Sequence, residues 1–412
     1  MPFHSILSRR RFLAGTAAGA AALALPAGPL RAQAERPFRI GALNPLTGPG
    51  SEEGAGMLAT LQATARLINE AGGIDGRMFE VISEDDQTKP EAGVLAAKKL
   101  VEINKVDAIL GTWSSSVTLA VMSAVTQPND VMLFTCSGAP EISEENTKDL
   151  VKRFTPTSFA YGVAYARIAL KSGYKRAVGM HLNNSSGKAQ IDGFVHEFTA
   201  NGGEFVDRIA YEPSKPSYRS ELQTALASNP DCLVLGSYLA DTTIILREAF
   251  QLGSRAGVLA PHWALGTKLV EAIGAPAVEG VSTASAVLTK DNPSVALYDR
   301  LYREAMGEPG SANAYGAMCY DMVNVLAYAI AAAGPGASNA DINGRIREVA
   351  NSPGEQVFDF VSGKDKLKAG KVNYSGASSL VEFDERGDDT GGLFSWDVLQ
   401  DGKAVQRELI TL

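Results

Sequence analysis

Residues 38–43 (FRIGAL) and 79–83 (FEVIS) are short apolar segments typical of buried strands, and a helical segment, Glu53–Ala71, lies between them. The alternation continues with strands at Val106–Leu110 and Val131–Phe134 and helices at Pro90–Asn104 and Val117–Thr126. Short apolar strands that alternate with helices predict a parallel sheet covered by helices on both faces.

A second run with the same rhythm starts after Lys152–Thr155. Its predicted strands are Ala177–His181, Phe205–Ala210, Cys232–Leu235 and Val258–Leu259, and its helices are Ala189–Ala200, Tyr218–Ala227 and Thr242–Leu252. A third section adds helices Ser294–Met306 and Ala312–Ala333 and C-terminal strands at Leu380–Phe383 and Leu393–Leu399. Two consecutive doubly wound units predict two α/β lobes, with any ligand beyond the carboxyl ends of the strands.

Composition excludes several classes of function. The 412 residues carry 38 Lys and Arg against 46 Asp and Glu, a net charge of -8. This acidic balance argues against nucleic acid as a partner, because phosphates require a basic face. Four His and three Cys without a CxxC spacing make a zinc or iron–sulfur site unexpected, and we predict no cofactor and no metal.

The first 34 residues resemble a twin-arginine (Tat) signal peptide. Arg9-Arg10-Arg11 precedes an apolar run, Ala14–Leu25, and Ala32-Gln33-Ala34 offers a cleavage site. The run is too short to span a bilayer, which needs about 20 residues. We therefore expect cleavage near Ala34 and a free periplasmic protein. The second apolar stretch, Ala312–Ala333, contains Asp321 and Asn324, and is expected to be a buried core helix rather than a membrane span.

Two loops after predicted strands carry the strongest site signals. Gly111-Thr112-Trp113-Ser114-Ser115-Ser116 places three hydroxyls before a helix, where N–H groups and the helix dipole favour an anion. Thr135-Cys136-Ser137-Gly138-Ala139-Pro140 follows the next strand and offers further N–H groups. Helix N-capping, which needs one Ser, is the alternative interpretation.

Enzyme signatures are weak. Gly48-Pro49-Gly50 imitates a dinucleotide loop, but the prolines lengthen it beyond the fingerprint. A triad built from Ser115, His262 and an acid has no positive motif to support it, so we do not predict an enzyme. Cys136 near these loops is expected to form part of a wall rather than to act as a nucleophile.

At these residues the sequence resembles the leucine/isoleucine/valine-binding protein family, the periplasmic solute-binding components of ABC importers. The resemblance covers nearly the whole chain after residue 34. It rests on Ile40-Gly41 with Pro45–Gly48, Asn69–Ile74, Asp85-Asp86 with Pro90 and Ala92, the Gly111–Ser116 loop, Pro140-Glu141, Arg153-Phe154, and Phe383-Asp384 with Gly387-Asp388.

The resemblance implies a type I periplasmic binding protein, with two Rossmann-like lobes that have parallel sheets and are joined by a three-crossing hinge. The crossings would fall near Thr155, Ala284 and Gly391. Residues 35–154 plus 285–390 would form one lobe, and 155–284 plus 391–412 the other, with the solute in the cleft. Asp85-Asp86 then becomes strand-end structure rather than an acid–base pair.

The family's carboxylate-binding Ser falls on Ser115, with backbone help from Cys136 and Gly138, where a hydroxyl residue is usual. The resemblance places a cleft Tyr at Tyr238 and a covering aromatic near Tyr315. In the family an acid pairs with the ammonium of a bound amino acid, and the resemblance places His262, beside Trp263, at that position. The imidazole of His262 is a poor partner for an ammonium group. Asp241 is an alternative partner, with helix capping as its other possible role. A stacking aromatic of the family is here Ser186.

The predicted function is capture of a small carboxylate- or amide-bearing solute, an amino acid or a related organic acid, by cleft closure. The protein is expected to act as a monomer in partnership with an ABC permease of the inner membrane. A sensor of the same fold and, less favoured, a cleft hydrolase are the alternatives. The candidate ligand-binding residues are Trp113, Ser114, Ser115, Cys136, Ser137, Gly138, Tyr238, His262 and Tyr315.

Overall fold

The computed structural model describes residues 36–287 and 292–412. The predicted signal peptide and its cleavage near Ala34 lie outside the described residues. Within these ranges the protein is an α/β fold dominated by parallel strands. This is the predicted fold class, and the sheets show how it is built.

The first sheet has five parallel strands in the order β2-β1-β3-β4-β5. Alternate residues of β3 enter different clusters, with Ala108 and Leu110 on one face and Ile109 on the other. Both faces of the sheet are therefore buried, which explains why its strands are continuously apolar. The strands are β1 (Phe38–Asn44), β2 (Phe79–Asp85), β3 (Ala108–Gly111), β4 (Met132–Thr135) and β5 (Val151–Arg153).

The second sheet has seven strands in the order β14-β13-β10-β9-β8-β6-β7. Its parallel part repeats the strand order of the first sheet, and β13 and β14 add an antiparallel edge. The strands are β6 (Arg176–Leu182), β7 (Glu204–Tyr211), β8 (Cys232–Gly236), β9 (Gly257–Leu259), β10 (Ser282–Ala286), β13 (Leu393–Gln400) and β14 (Lys403–Thr411); β11 (Glu355–Val357) and β12 (Val372–Tyr374) pair separately.

Helices connect the strands, as the sequence rhythm predicts. Their bounds are α1 (Ser51–Glu70), α2 (Pro90–Lys98), α3 (Ser115–Val121), α4 (Glu141–Glu144), α5 (Ser158–Lys171), α6 (Ser185–Ala200), α7 (Arg219–Leu226), α8 (Leu239–Gln251), α9 (Thr267–Ile273), α10 (Ala275–Val278), α11 (Pro293–Met306), α12 (Ala314–Ala333), α13 (Asn339–Ala350) and α14 (Phe360–Ala369). Helices α2 and α3 each continue into a π-helical turn, Lys99–Ile103 and Met122–Thr126 respectively.

Helix α12 is long and apolar enough to cross a membrane by length and composition. Every residue from Tyr315 to Ile330 is buried within the protein, however. Asp321 is buried with them, and its carboxylate accepts hydrogen bonds from Tyr374 Oη at 2.7 Å and from Ser378 N at 2.7 Å. The helix is therefore a core element, as expected from its internal polar residues.

The predicted strand Leu380–Phe383 is wrong. Val381 has a φ of 54°, which breaks an extended chain, and the backbone of Phe383 bonds the side chain of Asn351 instead of a neighbouring strand. By contrast, the structural interpretation of Asp85 is confirmed. Its carboxylate accepts hydrogen bonds from Leu46 N at 2.9 Å and Thr47 Oγ1 at 2.6 Å, so it fixes the loop after β1.

Candidate functional site

A small cavity lies where the carboxyl ends of strands from both sheets meet. Loops after β3 and β4 supply one wall, and loops after β6, β8 and β9 supply the other. Its volume is about 30 Å³, room for one or two water molecules. The lining residues are Trp113, Ser115, Cys136, Gly138, Thr155, Pro156, Ser158, Tyr161, Ser186, Tyr238, Trp263 and Tyr315.

Ser115 is the first residue of α3 and is 5% exposed. Its Oγ accepts a hydrogen bond from the backbone N–H of Ala139 at 3.1 Å, which ties the loop after β3 to the loop after β4. Among the described residues this hydroxyl has no other hydrogen bond, so its proton is available to an acceptor in the cavity. This is the arrangement that a carboxylate-binding Ser requires.

The neighbouring hydroxyls serve the loops themselves. Ser114 Oγ lies 3.1 Å from Ser116 Oγ. Ser137 Oγ lies 2.5 Å from Thr118 Oγ1 and donates to the carbonyl of Thr112 at 3.0 Å. Neither Ser114 nor Ser137 is among the residues that line the cavity. The structure thus gives these two predicted site residues a supporting position behind Ser115.

Gly138 is a glycine because another residue occupies its side-chain space. A Cβ at this position would lie 2.6 Å from Ser158 Oγ and 3.0 Å from Ser158 N. The Ser158 N–H donates to the carbonyl of Gly138 at 2.6 Å. The hydroxyl that the family resemblance places at residue 138 is therefore missing, and Ser158 brings one to the same place from the start of α5.

Aromatic rings form the rest of the wall. Trp113 and Tyr238, from different sheets, have ring centroids 5.0 Å apart, and Trp113 meets Tyr315 edge-on at 5.9 Å. Tyr161 meets Trp263 edge-on at 5.6 Å. Such a cage offers flat apolar surface to the tail of a ligand.

His262 stands behind this wall instead of in it. Its ring stacks against Tyr161 at 5.7 Å and against Tyr315 at 6.0 Å, while its neighbour Trp263 lines the cavity. Burial lowers the pKa of His262 to about 4, so the imidazole is neutral near pH 7. A neutral ring in this position packs against aromatic residues and offers no charge to a ligand.

The acids near the cavity do not face it. Asp241 Oδ1 accepts a hydrogen bond from Tyr218 Oη at 2.9 Å in the first turn of α8, which fits the capping alternative. Burial raises the pKa of Glu53, in α1, to about 8, so this acid is mostly protonated at neutral pH. No Asp, Glu, Lys, Arg or His is among the lining residues that the structure describes.

All three cysteines are free and buried. Cys136 lines the cavity, and burial raises the pKa of its thiol well above the usual value. A thiol held protonated is a poor nucleophile. Cys136 is therefore suited to be part of a wall, as expected from the sequence.

Several lining residues were not among the predicted ligand-binding residues: Thr155, Pro156, Ser158, Tyr161, Ser186 and Trp263. Ser158 and Tyr161 follow β5 and open a helix, so the strand-end rule that selected Ser115 applies to them as well. In the sequence, Ser186 drew attention only as a departure from a family pattern, and Trp263 only as the neighbour of His262. The predicted residues that do line the cavity are Trp113, Ser115, Cys136, Gly138, Tyr238 and Tyr315.

Comparison with known proteins identifies the family to which the chain belongs. The family model described as "Periplasmic binding protein" matches residues 37–366. The chain belongs to this family of periplasmic binding proteins. Members of the family are not enzymes.

Individual relatives are distant. The chemotactic signal transduction system substrate-binding protein BasB of Halobacterium salinarum is 24% identical over 364 residues, which cover 85% of this chain and 84% of BasB. The leucine-binding protein LivK of Thermotoga maritima is 25% identical, with a TM-score of 0.76 over 91% of this chain and 99% of LivK. A solute-binding protein of an ABC transporter from R. palustris, solved in complex with benzoate, is 19% identical with a TM-score of 0.74 over 90% of this chain and 96% of that one.

Proposed function

We propose that this protein is the periplasmic solute-binding component of an ABC importer, and that its solute is a small carboxylate without an ammonium group. The observation that carries the proposal is the lining of the cavity, which contains hydroxyls and aromatic rings but no charged side chain in the described residues. Nothing in this lining is expected to react with a bound solute.

The carboxylate would bind at Ser115. Its free proton and the N–H of Gly138 would provide donors, and hydrogen bonds to an ionised acceptor are the strong ones. The N–H of Cys136, which the resemblance also assigns to the carboxylate, is already engaged, because it donates to the carbonyls of Gly111 at 3.3 Å and Thr112 at 3.2 Å. The tail of the solute would lie against Trp113, Tyr238 and Tyr315. An ammonium group would need a carboxylate partner in the closed cleft, because an unpaired buried charge is costly.

Capture would occur by closure of two lobes, formed by residues 35–154 plus 285–390 and by 155–284 plus 391–412. Two separate sheets of equivalent strand order support this division. A space of about 30 Å³ is too small for an organic acid, so the walls must separate to admit one and come together around it. Ligand then favours the closed state by its greater affinity for it.

The Tat signal peptide that residues 1–34 resemble supports export to the periplasm. The chain from Glu35 onward has 34 basic and 46 acidic residues, because residues 1–34 contain four Arg and no acid. Its charge of -12 suits a monomer that diffuses freely to a permease of the inner membrane.

A sensor is the second candidate, favoured by the relationship to BasB, whose name assigns it to a chemotactic signalling system. The two functions differ in the partner that receives the closed form. Deletion of the gene should abolish uptake of the radiolabelled solute if the importer proposal is right. Unchanged uptake together with lost chemotaxis towards that solute would favour the sensor.

A thermal-shift screen of organic acids, followed by calorimetry, tests the solute class. A ligand at 100 times its dissociation constant adds about 2.7 kcal/mol to the free energy of unfolding. We expect benzoate and 4-methylpentanoate to stabilise the protein, and leucine, which adds an ammonium to the latter, to bind much more weakly. Tight binding of leucine without binding of 4-methylpentanoate would contradict the proposal.

A further inference from the structure

The second wall of the cavity contains the N-terminal ends of two long helices. Ser158 is the first residue of α5, and Ser186 is the second residue of α6. Both line the cavity, and their Oγ atoms lie 2.7 Å apart. In this pair one hydroxyl donates to the other, so one O–H proton remains for an acceptor in the cavity.

The two helices pack closely against each other. A Cβ at Gly162 would lie 2.0 Å from the carbonyl oxygen of Gln190, and a Cβ at Gly193 would lie 2.1 Å from that of Phe159. Further along, Arg167 pairs with Glu197 at 2.8 Å. Because Ser158 Oγ and Ser186 Oγ are in contact, the N-termini of the two helices lie side by side, and their dipoles favour an anion at the same place.

A buried donor without a partner points to a ligand at this place. Tyr161 lies one turn after Ser158, is 3% exposed and lines the cavity. Within the described residues its Oη has no partner at hydrogen-bonding geometry, and the polar groups beside it are the side chain of Thr155, which also lines the cavity, and the backbone of Ala286. Buried hydroxyls in native proteins are normally paired, and an acceptor in the cavity would supply the missing partner.

The absence of a side chain at Gly138 makes the approach of the two walls possible. Any Cβ there would lie 2.6 Å from Ser158 Oγ, so glycine lets this hydroxyl reach the side of the cavity that Ser115 occupies. Ser115 comes from the loop after β3 of the first sheet, whereas α5 and α6 pack on the second. Donors from both halves of the protein thus meet across one small space.

We propose that the carboxylate of the solute is held from both sides, by Ser115 from the first half and by Ser158, Ser186 and the N-terminal ends of α5 and α6 from the second. This inference rests on the proposed function. The anion site is complete only when the cleft is shut, so the carboxylate draws the two halves together in addition to the tail of the solute, which also meets rings from both halves.

Calorimetry with benzoate and 4-methylpentanoate on the mature chain tests this site. Each of Ser158→Ala and Ser186→Ala should weaken binding about ten-fold or more, as for the loss of a charge-assisted hydrogen bond. Ser228→Ala is the matched control, because Ser228 Oγ bonds the carbonyl of Ala225 outside the cavity, and it should bind like the wild type. Thermal unfolding shows whether each variant is folded.

Scattering separates a binding role from a merely structural one. With saturating benzoate the wild type should become more compact, while the double variant S158A/S186A should bind weakly through Ser115 and keep the open dimensions. Gly138→Ser should weaken binding through its contact with Ser158 Oγ. Addition of Ser158→Gly should recover part of the loss, because it removes this overlap and the new hydroxyl at residue 138 takes the place of the one lost at residue 158. This rescue keeps the test meaningful if the alanine variants fold poorly.

Two results would overturn the inference, and they differ in what they leave standing. Wild-type affinity in S158A and S186A, together with lost affinity in S115A, would place the anion on the first half alone and leave the proposed function intact. A wild-type protein that binds neither probe acid but binds leucine would overturn the proposed function and this inference with it.

Discussion

Among single residues, Ser115 is the group on which the proposed capture would depend most directly. Ser115→Ala should weaken binding of the solute carboxylate by about 1–3 kcal/mol, because it removes a hydroxyl that donates to an ionised acceptor. Calorimetry with benzoate measures the change. Since Ser115 Oγ also accepts from Ala139 N, thermal unfolding of the variant without ligand should be recorded as the control. Unchanged affinity would remove Ser115 from the site.

Asp86 gives a pH-dependent prediction. It is fully buried directly after β2, Thr88 N donates to its Oδ1 at 2.7 Å, and its Oδ2 has no hydrogen-bond partner among the described residues. Burial raises its pKa to about 6. The folded state therefore holds this proton more tightly than the unfolded state does. The resulting stabilisation is complete below about pH 4 and is lost as the pH rises through about 6.

Asp86→Asn removes this titration. The free energy of unfolding of the wild type minus that of the variant should fall by about 2–3 kcal/mol between pH 4 and pH 7. Denaturant unfolding at a series of pH values measures the difference. Asp85→Asn is a useful comparison, because hydrogen bonds to its carboxylate lower the pKa of Asp85 despite a burial effect that raises it. A difference between wild type and Asp86→Asn that is independent of pH would contradict the argument.

How far the sequence predicts the site depends on the residue. Ser115 could be predicted from the sequence, because a run of hydroxyl residues after a strand indicates hydrogen-bond donors at the start of a helix. Ser158 could not be predicted in this way. Its proposed role depends on the missing side chain of Gly138, and only folding brings these two residues together. The sequence also did not predict which residue after β9 lines the cavity. The structure places Trp263 there, one residue after the predicted His262, whose imidazole packs against Tyr161 and Tyr315.

At the scale of elements, the close packing of α5 and α6 explains why both contain a glycine at the contact. Gly193→Ala should lower the free energy of unfolding by about 1–3 kcal/mol, because the added Cβ would overlap the carbonyl of Phe159. Gly344→Ala in α13 is the matched control, with nothing within 4 Å of the new Cβ. It should stabilise the protein by about 0.5–1 kcal/mol. Equal effects of the two substitutions, measured by denaturant unfolding, would refute the packing argument.

Elements were predicted well where local signals are strong. Strand β1 begins at Phe38 as expected, and α12 ends at Ala333, where Gly334-Pro335 stops it. The predicted start of α6 at Ala189 is four residues too late. The helix begins at Ser185, because the side chain of the capping residue Asn184 accepts a hydrogen bond from Gly187 N. Leu380–Phe383 looked like a strand by composition, but long-range bonds to Asn351 decide its conformation.

At the scale of the whole molecule, the two halves meet through an ion pair as well as through the cavity. Lys268 in α9 pairs with Glu52 in α1, and the two side chains are 65% and 35% exposed. An exposed pair of this kind contributes about 0–1 kcal/mol. Glu52→Gln should therefore reduce solute affinity by less than about 1 kcal/mol, and the reduction should vanish at high salt.

Calorimetry at low and high salt measures this effect, and Glu70→Gln at the other end of α1 serves as the control. An affinity loss that persists at high salt would mean that Glu52 acts through more than this surface contact. Together with the scattering experiment, the result would show how much of the free energy of closure comes from the Lys268–Glu52 pair at the surface and how much from the buried anion site.

Because the wall of the cavity is uncharged, the pH dependence of binding should come from the ionisation of the solute and not from that of the protein. Since hydroxyls and N–H groups in the described lining keep their protons throughout the physiological range, association should track the ionisation of the incoming acid. Two acids of different strength should then lose affinity at two different pH values. A protein built in this way takes up anions selectively and leaves their neutral forms to diffuse past it.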